Sequence, residues 1–289
     1  MRAAVLSLML TLVACGGDDA PPAVEAGSDA PDDVLDAPID TGPPDAAPEA
    51  VLYASTATTL YRFDPLTFDL AKIADFSCAG EGVLNLAEDH AEQLYAVTTE
   101  SLVRVDKATG KCTQIAKGQF PRALGFVPAG VLDPLDDVLV GYNGQQYVRI
   151  DVKTGQSTFV GALNPNDAGG SFDPSGDLVS IAGGKSYLTA LGDPNTGDLL
   201  LEIDPATGTA KKRLGSSGRF GLVGVAAWAG TVFAFSSDGR VYRLGKTGLA
   251  AQLIPAISDA GADADAGVTD ASTGLSFTGA AVTTRAPAQ

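Results

Sequence analysis

The chain has few of the side chains on which most enzymes depend. Its 289 residues include one histidine, one tryptophan and three cysteines. The single histidine, His90, excludes the usual histidine-rich zinc sites, and a Ser/His/Asp site is not expected because no nucleophile motif lies near it. The sequence also contains no P-loop, G-x-S-x-G or H-E-x-x-H motif. We therefore expect neither a metal nor an organic cofactor.

Basic residues are missing from residues 16–50, which contain seven prolines and ten acidic residues. Low hydrophobicity and charge of one sign leave too little apolar surface to offset the entropy of ordering, so we predict a disordered, extended tether. A second acidic tract at 258–272 has four more acidic residues and is predicted to be a disordered loop. Without these tracts and Arg2, the chain keeps 18 basic and 21 acidic residues. Such a nearly neutral folded part argues against a nucleic-acid partner.

No apolar run reaches the roughly 20 residues of a membrane-spanning helix, but residues 1–14 have the plan of a signal peptide. Arg2 precedes an apolar segment at 3–13, which ends in "LVAC" at 12–15. This pattern resembles the lipobox of bacterial lipoproteins, and the alternative is an ordinary signal peptide with a chance cysteine. The resemblance implies that Cys15 is acylated and anchors the protein in a lipid bilayer of the bacterial cell envelope, at the outer membrane or the periplasmic face of a membrane.

One short sequence recurs along the rest of the chain. Its copies are "YRFDPLTFDLAK" at 61–72, "VRVDKATGKCTQ" at 103–114, "VRIDVKTGQSTF" at 148–159, "LEIDPATGTAKK" at 201–212 and a degenerate "YRLGKTGLAAQL" at 242–253. The aspartate of the motif, or the glycine that replaces it, recurs after 42, 45, 53 and 41 residues. A period of about 40–50 residues is typical of propeller blades, each of which is a four-stranded antiparallel sheet.

The recurring stretch is interpreted as the hairpin between the third and fourth strands of a blade. Asp204 is placed to accept hydrogen bonds from backbone amides ahead of it, Pro205 favours the first turn position, and Gly208 suits a positive φ. The alternative is a repeated calcium or sugar site, which would need several oxygen ligands that converge. Replacement of the aspartate by Gly245 in the last copy favours the turn.

The two ends of the repeat region predict how the ring closes. The first copy begins with a second strand, "VLYAST", and the last segment, "TGLSFTGAAVTT", has the pattern of a first strand without a second. We therefore predict an all-β, five-bladed β-propeller at 51–285, closed by the C-terminal strand, with a short tail at 286–289. The predicted blades are 275–283 with 51–76, 83–117, 122–162, 170–214 and 221–254, and "DLVSIAG" (177–183) is taken as the second strand of blade 4.

These repeats are similar to the YVTN/quinoprotein-like group of bacterial propellers, on the basis of "LYRFDPLTF", "LVRVDKATGK" and "LLLEIDPATGT". The resemblance covers most of 51–285 and implies a fold, because its motif is a hairpin signature. Quinoprotein dehydrogenases have eight blades built around tryptophan contacts. This chain has five predicted blades and one tryptophan, Trp228, so that activity is not carried over.

The one irregular part of the repeat is the long interval between Asp151 and Asp204. Its additional residues fall in two loops that connect blade 3 to blade 4 and the second to the third strand of blade 4, and such loops emerge at the same end of a propeller. The candidate face for a ligand or partner comprises Asn164, Asn166, Asp167, Lys185, Tyr187, Asp193 and Asn195. Loops on a rigid scaffold often carry binding residues, and the alternative is a loop without function.

Two cysteines, Cys78 and Cys112, remain besides Cys15. The oxidising environment of an exported protein favours a disulfide between them. The alternation of strands, however, places the two cysteines toward opposite faces, and a disulfide requires Cα atoms within about 7 Å. The sequence leaves the disulfide open.

Two hypotheses follow for function. The first is a membrane-anchored, monomeric propeller without catalytic activity, which binds or assembles with a protein or saccharide partner. The second is a tethered hydrolase or lyase that acts on a saccharide or a similar substrate. Convergence of three or more carboxylates or polar ligands at the mouth of the central channel would favour the second.

Overall fold

The computed structural model describes residues 51–164, 171–192, 194–245, 251–253 and 274–289. Several predicted features lie outside the described residues: the signal peptide, Cys15, the tether, Asn166, Asp167, Asp193 and the loop at 258–272. The described residues include no helix with the length and hydropathy that crossing a membrane requires.

The described residues form twenty strands in five antiparallel sheets of four strands, and each sheet is one blade. From the centre outward, the strands of a blade are here called A, B, C and D. Blade 1 consists of β20 (Phe277–Ala281), β1 (Leu52–Thr56), β2 (Thr59–Phe63) and β3 (Leu70–Asp75). Blade 2 consists of β4 (Val83–Glu88), β5 (Leu94–Thr98), β6 (Ser101–Val105) and β7 (Cys112–Lys117). Blade 3 consists of β8 (Ala123–Val127), β9 (Val138–Asn143), β10 (Gln146–Ile150) and β11 (Ser157–Ala162). Blade 4 consists of β12 (Pro174–Ser180), β13 (Ser186–Ala190), β14 (Leu199–Ile203) and β15 (Ala210–Ser216). Blade 5 consists of β16 (Leu222–Trp228), β17 (Thr231–Ser236), β18 (Val241–Leu244) and β19 (Ala251–Leu253).

The five A strands contact one another in turn and form a closed ring. Burial follows the distance from the centre: all five residues of β8 are buried, whereas none of the six in β7 is. Closure depends on β20, which pairs with β1 so that Tyr53 lies opposite Ala281 and Ala54 opposite Ala280. The predicted five-bladed, all-β propeller closed by the C-terminal strand is confirmed.

The repeated stretch forms the turn between strands C and D. In the first three copies, the side chain of Asp64, Asp106 or Asp151 accepts hydrogen bonds from the backbone amides two and three residues ahead, at 2.7–3.1 Å. The turn then passes through a positive φ at Phe68 (67°), Gly110 (67°), Gly155 (72°) and Gly208 (70°). The aspartates therefore hold the turn, as the sequence predicts.

The same turn also joins neighbouring blades. At Gly208, a Cβ atom would overlap the ring of Tyr147 in blade 3, and the Tyr142 hydroxyl donates a hydrogen bond to the Gly208 carbonyl at 2.5 Å. At Gly155, a Cβ atom would overlap Ala116 of blade 2. Sheet twist brings the outer turns of blades 2, 3 and 4 onto the outer strands of the preceding blade. The motif recurs because it is both a turn and an interblade contact.

Two predictions about local structure are wrong. The segment 177–183 is predicted as strand B of blade 4, but its residues 177–180 end strand A, residues 181–183 lie in the turn after it, and strand B is β13. This shift places Lys185 in the turn between A and B. Residues 286–289, predicted to be a tail, pack on the ring, where Ala286 is 2% exposed and the Pro287 carbonyl accepts a hydrogen bond from the Ala229 amide at 2.7 Å.

Cys78 and Cys112 form a disulfide, and their Cα atoms are 4.9 Å apart. The expectation that the two residues lie toward opposite faces is therefore wrong. The segment after β3 runs along the C–D turn of blade 2, where Ser77 bridges to Lys111 and its amide donates to the Gly110 carbonyl at 3.0 Å. The bond links the end of blade 1 to the outer strand of blade 2.

Candidate functional site

The centre of the ring is filled by one equivalent residue from each A strand. These five axial residues are Asn85, Gly125, Asp177, Gly224 and Gly279, from blades 2, 3, 4, 5 and 1 in that order. Two are polar and three lack a side chain. Their arrangement decides whether the propeller has an open channel in which a substrate could bind.

Asp177 is fully buried and is held by four blades. Its Oδ1 accepts hydrogen bonds from Asn85 Nδ2 at 2.9 Å and from the Leu178 amide at 2.8 Å, and its Oδ2 accepts one from the Val225 amide at 3.3 Å. The Ala280 amide is a further donor. Burial raises the pKa of Asp177 well above its usual value, although these N–H donors oppose the rise. Asp177 thus acts as a structural acceptor that ties the blades together.

The axial glycine positions have no room for a side chain, because neighbouring residues occupy the space. A Cβ atom at Gly279 would overlap the Asn85 side chain, and one at Gly125 would overlap the Leu178 carbonyl. Beside this layer, the pocket that A strands line has a volume of about 10 Å³, which is about the volume that one water molecule requires. Among the described residues, the axial side chains therefore leave no substrate-sized space at the centre of the propeller.

The segment that follows β20 covers the end of the ring from which the A–B turns emerge. Its hydrogen bonds reach four blades: Thr283 Oγ1 to the Asp89 carbonyl (2.9 Å), Thr284 Oγ1 to Asp137 Oδ2 (2.6 Å), the Ala182 amide to the Thr284 carbonyl (2.8 Å) and the Ala229 amide to the Pro287 carbonyl (2.7 Å). We call residues 282–289 the cap. Because it crosses from blade to blade, it seals this mouth of the ring.

His90 lies beside the cap but not in a catalytic arrangement. Asp137, whose side chain is 3% exposed, accepts hydrogen bonds from the His90 amide at 2.8 Å, the Ala129 amide at 3.0 Å and the Thr284 hydroxyl. A Ser/His/Asp triad places the histidine between acid and nucleophile, whereas here the acid lies between His90 and Thr284. The hydrogen bonds of Asp137 therefore connect the cap to the loops of blades 2 and 3.

Glu88 forms a second buried polar cluster, at the seam between blades 1 and 2. Its carboxylate, 3% exposed, accepts a hydrogen bond from Lys107 Nζ at 2.8 Å, and this ammonium lies 5.1 Å from the centre of the Tyr53 ring. Burial raises the pKa of Glu88 to about 7, while the ion pair opposes the rise and raises the pKa of Lys107. The three side chains fill the seam.

The corresponding seam between blades 4 and 5 is open. It contains a groove of about 370 Å³, here called the blade 4–5 groove. Its apolar wall consists of Ile181, Leu200, Leu214, Val232 and Leu244, and the last residues of the cap form one side. Four larger polar side chains stand at the groove: Lys185, Tyr187, Lys212 and Gln289. The volume lies in the range of small-molecule sites, and the mixture of an apolar wall with few polar groups is typical of them.

Small residues create this groove. Gly183 and Gly184 form the A–B turn of blade 4, and Ala227, Gly230 and Gly245 stand on the blade 5 side. Gly245 is the residue that replaces the turn aspartate in the degenerate fifth copy of the repeat. The groove therefore occurs where the repeat has lost its usual side chains.

Charge at the groove is positive. Lys185 Nζ donates to Glu202 Oε2 at 2.6 Å, and this hydrogen bond raises the pKa of Lys185. Lys212 is exposed on β15, where its neighbour Lys211 points the other way and lies 3.3 Å from Asp204. No Asp or Glu side chain is among the described residues that line the groove.

The predicted candidate face divides into two parts. Lys185 and Tyr187 line the groove near the A–B end, whereas Asn195 lies in the B–C loop at the opposite end of the same sheet. Asn164 closes the base of the loop between blades 3 and 4, because its side chain donates to the Phe172 carbonyl at 2.8 Å and accepts from its amide at 3.0 Å. The residues do not form one cluster, since the strand shift in blade 4 moves Lys185 to the other end.

Sequence reasoning missed Lys212 and the apolar wall of the groove. Lys212 lies within the repeated stretch, which was assigned to turn geometry alone. The available signal was the degenerate fifth copy, whose small residues predict incomplete packing against blade 4. Among the described residues, no group of three or more His, Cys, Asp or Glu side chains is arranged to hold a metal ion.

Comparisons with known proteins give solved structures of low similarity. The chain matches no protein-family model, and a search of curated proteins gives no match either. Similar solved structures include a protein of unknown function from Bacteroides caccae (10% identity, 72% of each chain covered, TM-score 0.36) and regucalcin, a calcium-binding protein from Agrobacterium tumefaciens (16%, 65% of each chain, 0.40). Another is BamB from Moraxella catarrhalis (11% identity, 68% of this chain and 56% of that chain, 0.34). At these identities the similarity concerns the fold alone.

Proposed function

We propose that this protein is a membrane-anchored bacterial lipoprotein whose propeller is a binding module without catalytic activity, and that the blade 4–5 groove is its ligand site. The observation that carries the proposal is the contrast between a closed centre and an open seam. Asn85, Asp177 and three glycines fill the axis, while about 370 Å³ remains between blades 4 and 5. A small-molecule or side-chain ligand would therefore bind at the seam.

Anchoring is inferred from the sequence at 1–50. A lipobox-like "LVAC" ends an apolar segment, and a proline-rich acidic tether follows. Acyl chains on Cys15 would hold the protein at a membrane of the cell envelope, and the tether would let the propeller reach its ligand.

The enzyme alternative has one observation in its favour, which is the carboxyl group of Glu88. A pKa of about 7 beside a lysine suits a general acid or base. However, Glu88 is 3% exposed and borders a cavity of about 10 Å³, so a saccharide cannot reach it without displacement of the cap. We therefore assign Glu88 to the seam between blades 1 and 2.

A pull-down from native membranes tests the proposal. The groove variant replaces Lys185 and Tyr187 with Ala, and the control replaces Thr207 and Lys211, which do not line the groove. We expect the groove variant to lose what the wild type captures and the control to retain it, while both variants remain folded. Loss of capture in the control but not in the groove variant would show that the repeated turns, and not the groove, form the binding surface.

A further inference from the structure

We propose that the blade 4–5 groove selects an organic anion, in which a carboxylate or phosphate is attached to an apolar body. This inference rests on the proposed function, because it assumes that the groove is a ligand site. It adds the chemical class of the ligand and names Lys212 as the residue that distinguishes an anion from a neutral molecule of the same shape.

The apolar part of the ligand follows from the wall of the groove. Leu200, Val232 and Leu244 are 2%, 6% and 3% exposed, so they form a tightly packed floor, and the partly buried Leu214 exposes more of its side chain. Tyr187 adds an aromatic ring that is partly buried against blade 4. A fully polar ligand such as a free sugar would lose water at this wall without gaining hydrogen bonds there. An aromatic or branched aliphatic body gains from burial of the same surface.

The anionic part follows from the charges at the rim. Lys185 and Lys212 are the charged side chains that line the groove in the described part of the chain, and both are cations. The Lys185 charge is shared with Glu202, whereas Lys212 makes no ion pair with a described residue. Lys212 therefore supplies the net positive charge that an anion requires, and its ammonium is a donor for carboxylate or phosphate oxygens.

A comparison of equivalent positions in different blades supports the interpretation of the groove as a ligand site and not as a packing defect. Tyr53 and Tyr187 occupy the same position of strand B, with the same register to strand A. At the seam after Tyr53, the equivalent space holds the carboxylate of Glu88 against Lys107. At the seam after Tyr187, the residue equivalent to Glu88 is Ala227, and the position equivalent to Lys107 lies outside the described residues. The Tyr187 ring therefore stands without the buried carboxylate that fills the other seam, and the two lysines at the groove, Lys185 and Lys212, belong to blade 4.

Equilibrium dialysis with a matched set of probes tests the inference. The protein is the full chain with Cys15→Ser, so that no acyl chain or detergent competes for apolar probes. The probes are 2-naphthoate, 2-naphthyl phosphate and the neutral 2-naphthalenemethanol, with acetate and inorganic phosphate as anions without an apolar body. We expect naphthoate or naphthyl phosphate to bind about tenfold more tightly than the alcohol, and the two bare anions to bind more weakly than either. The ratio of the affinities for the two aromatic anions shows whether a carboxylate or a phosphate is preferred.

Charge reversal on adjacent residues gives the control. Lys212→Glu should weaken binding of the aromatic anion about tenfold and leave the alcohol within about twofold. Lys211→Glu makes the same charge change on the same strand but on the other side, and should leave both affinities within about twofold. Added salt should weaken binding of the anions and not of the alcohol.

Failure of the inference and failure of the proposed function give different results. If the alcohol and the anions bind equally well and Tyr187→Ala weakens all of them, the groove is a ligand site and the anion preference is wrong. If probes bind but neither Tyr187→Ala nor Lys212→Glu changes any affinity, the groove is not the site, and the proposed function also fails. If no aromatic anion binds at millimolar concentration, the inference is overturned, and the pull-down decides on the proposed function.

Discussion

Removal of the Phe277 side chain should destabilise the ring where its last strand closes it. Phe277 lies on β20, the strand that the chain's C-terminal part donates to blade 1, and it is 1% exposed. Its ring packs edge-on against Phe235 of blade 5 at 5.4 Å and against Tyr61 of blade 1 at 6.5 Å between ring centres. The side chain therefore joins blade 5 to blade 1.

The expected loss for Phe277→Ala is about 3–5 kcal/mol in the free energy of unfolding, because a buried phenylalanine is replaced by a cavity. For a domain of this size each kcal/mol lowers Tm by about 2–4 °C, so we expect a fall of about 10 °C. Denaturant unfolding followed by the fluorescence of the single tryptophan, Trp228, gives the free energy, and calorimetry gives Tm.

Phe159→Ala is the matched control, because Phe159 is 62% exposed on the outer strand β11. The same substitution there should change stability by less than about 0.5 kcal/mol. Deletion of residues 274–289 removes both β20 and the cap, and should abolish a cooperative transition or the soluble protein. If Phe277→Ala costs no more than Phe159→Ala, or if the deletion leaves Tm unchanged, β20 does not close the ring.

Three further predictions concern the axis, the Glu88 seam and the anchor. Asp177→Asn should lower the free energy of unfolding, measured in urea, by about 1–3 kcal/mol. The NH2 group of the new asparagine would face backbone N–H donors, so at least one of these donors would lack an acceptor. A loss no larger than that of an exposed Asp→Asn change would contradict the four-blade contact. The Glu88 carboxyl has a raised pKa, so its contribution to the free energy of unfolding is fully present below pH 4.5 and is lost as pH rises through about 7. The free energy of unfolding of the wild type should fall by up to about 3 kcal/mol over this range, and that of Glu88→Gln should fall less. Equal slopes of stability against pH for the two proteins would contradict the burial of Glu88. Metabolic labelling with a fatty acid should mark the wild type and not Cys15→Ser, which should also leave the membrane fraction; absence of label on the wild type would contradict the lipobox interpretation.

The ring could be predicted from the sequence because its signals are local. The Asp-x-x-Thr-Gly turn recurs at blade spacing, and each aspartate bonds the amides directly ahead of it. Closure was predictable because the repeat region starts with an unpaired strand B and ends with an unpaired strand A. Assignment of strands failed in blade 4, where "DLVSIAG" is largely apolar and strands A and B are both mostly buried, so periodicity does not separate them.

The groove and the disulfide could not be predicted because both depend on how blades pack. The twist of each sheet brings an outer turn onto the preceding blade, and it brings the Cα atoms of Cys78 and Cys112 within 4.9 Å. The volume of the groove depends on small residues of blade 5, such as Ala227 and Gly245, that lie against blade 4. Lys212 and Lys211 are adjacent in the sequence, and the register of β15 decides which of them lines the groove.

Photo-crosslinking from within the groove tests the central claim most directly. Benzoylphenylalanine is placed at Tyr187, which lines the groove, and at Phe159, which is exposed on blade 3. After irradiation of intact cells, the mass of the purified protein shows whether a ligand or partner is attached. We predict an adduct of defined mass from position 187 and none from position 159. An adduct from position 159 alone, or equal adducts from both positions, would contradict the assignment of the groove as the binding site.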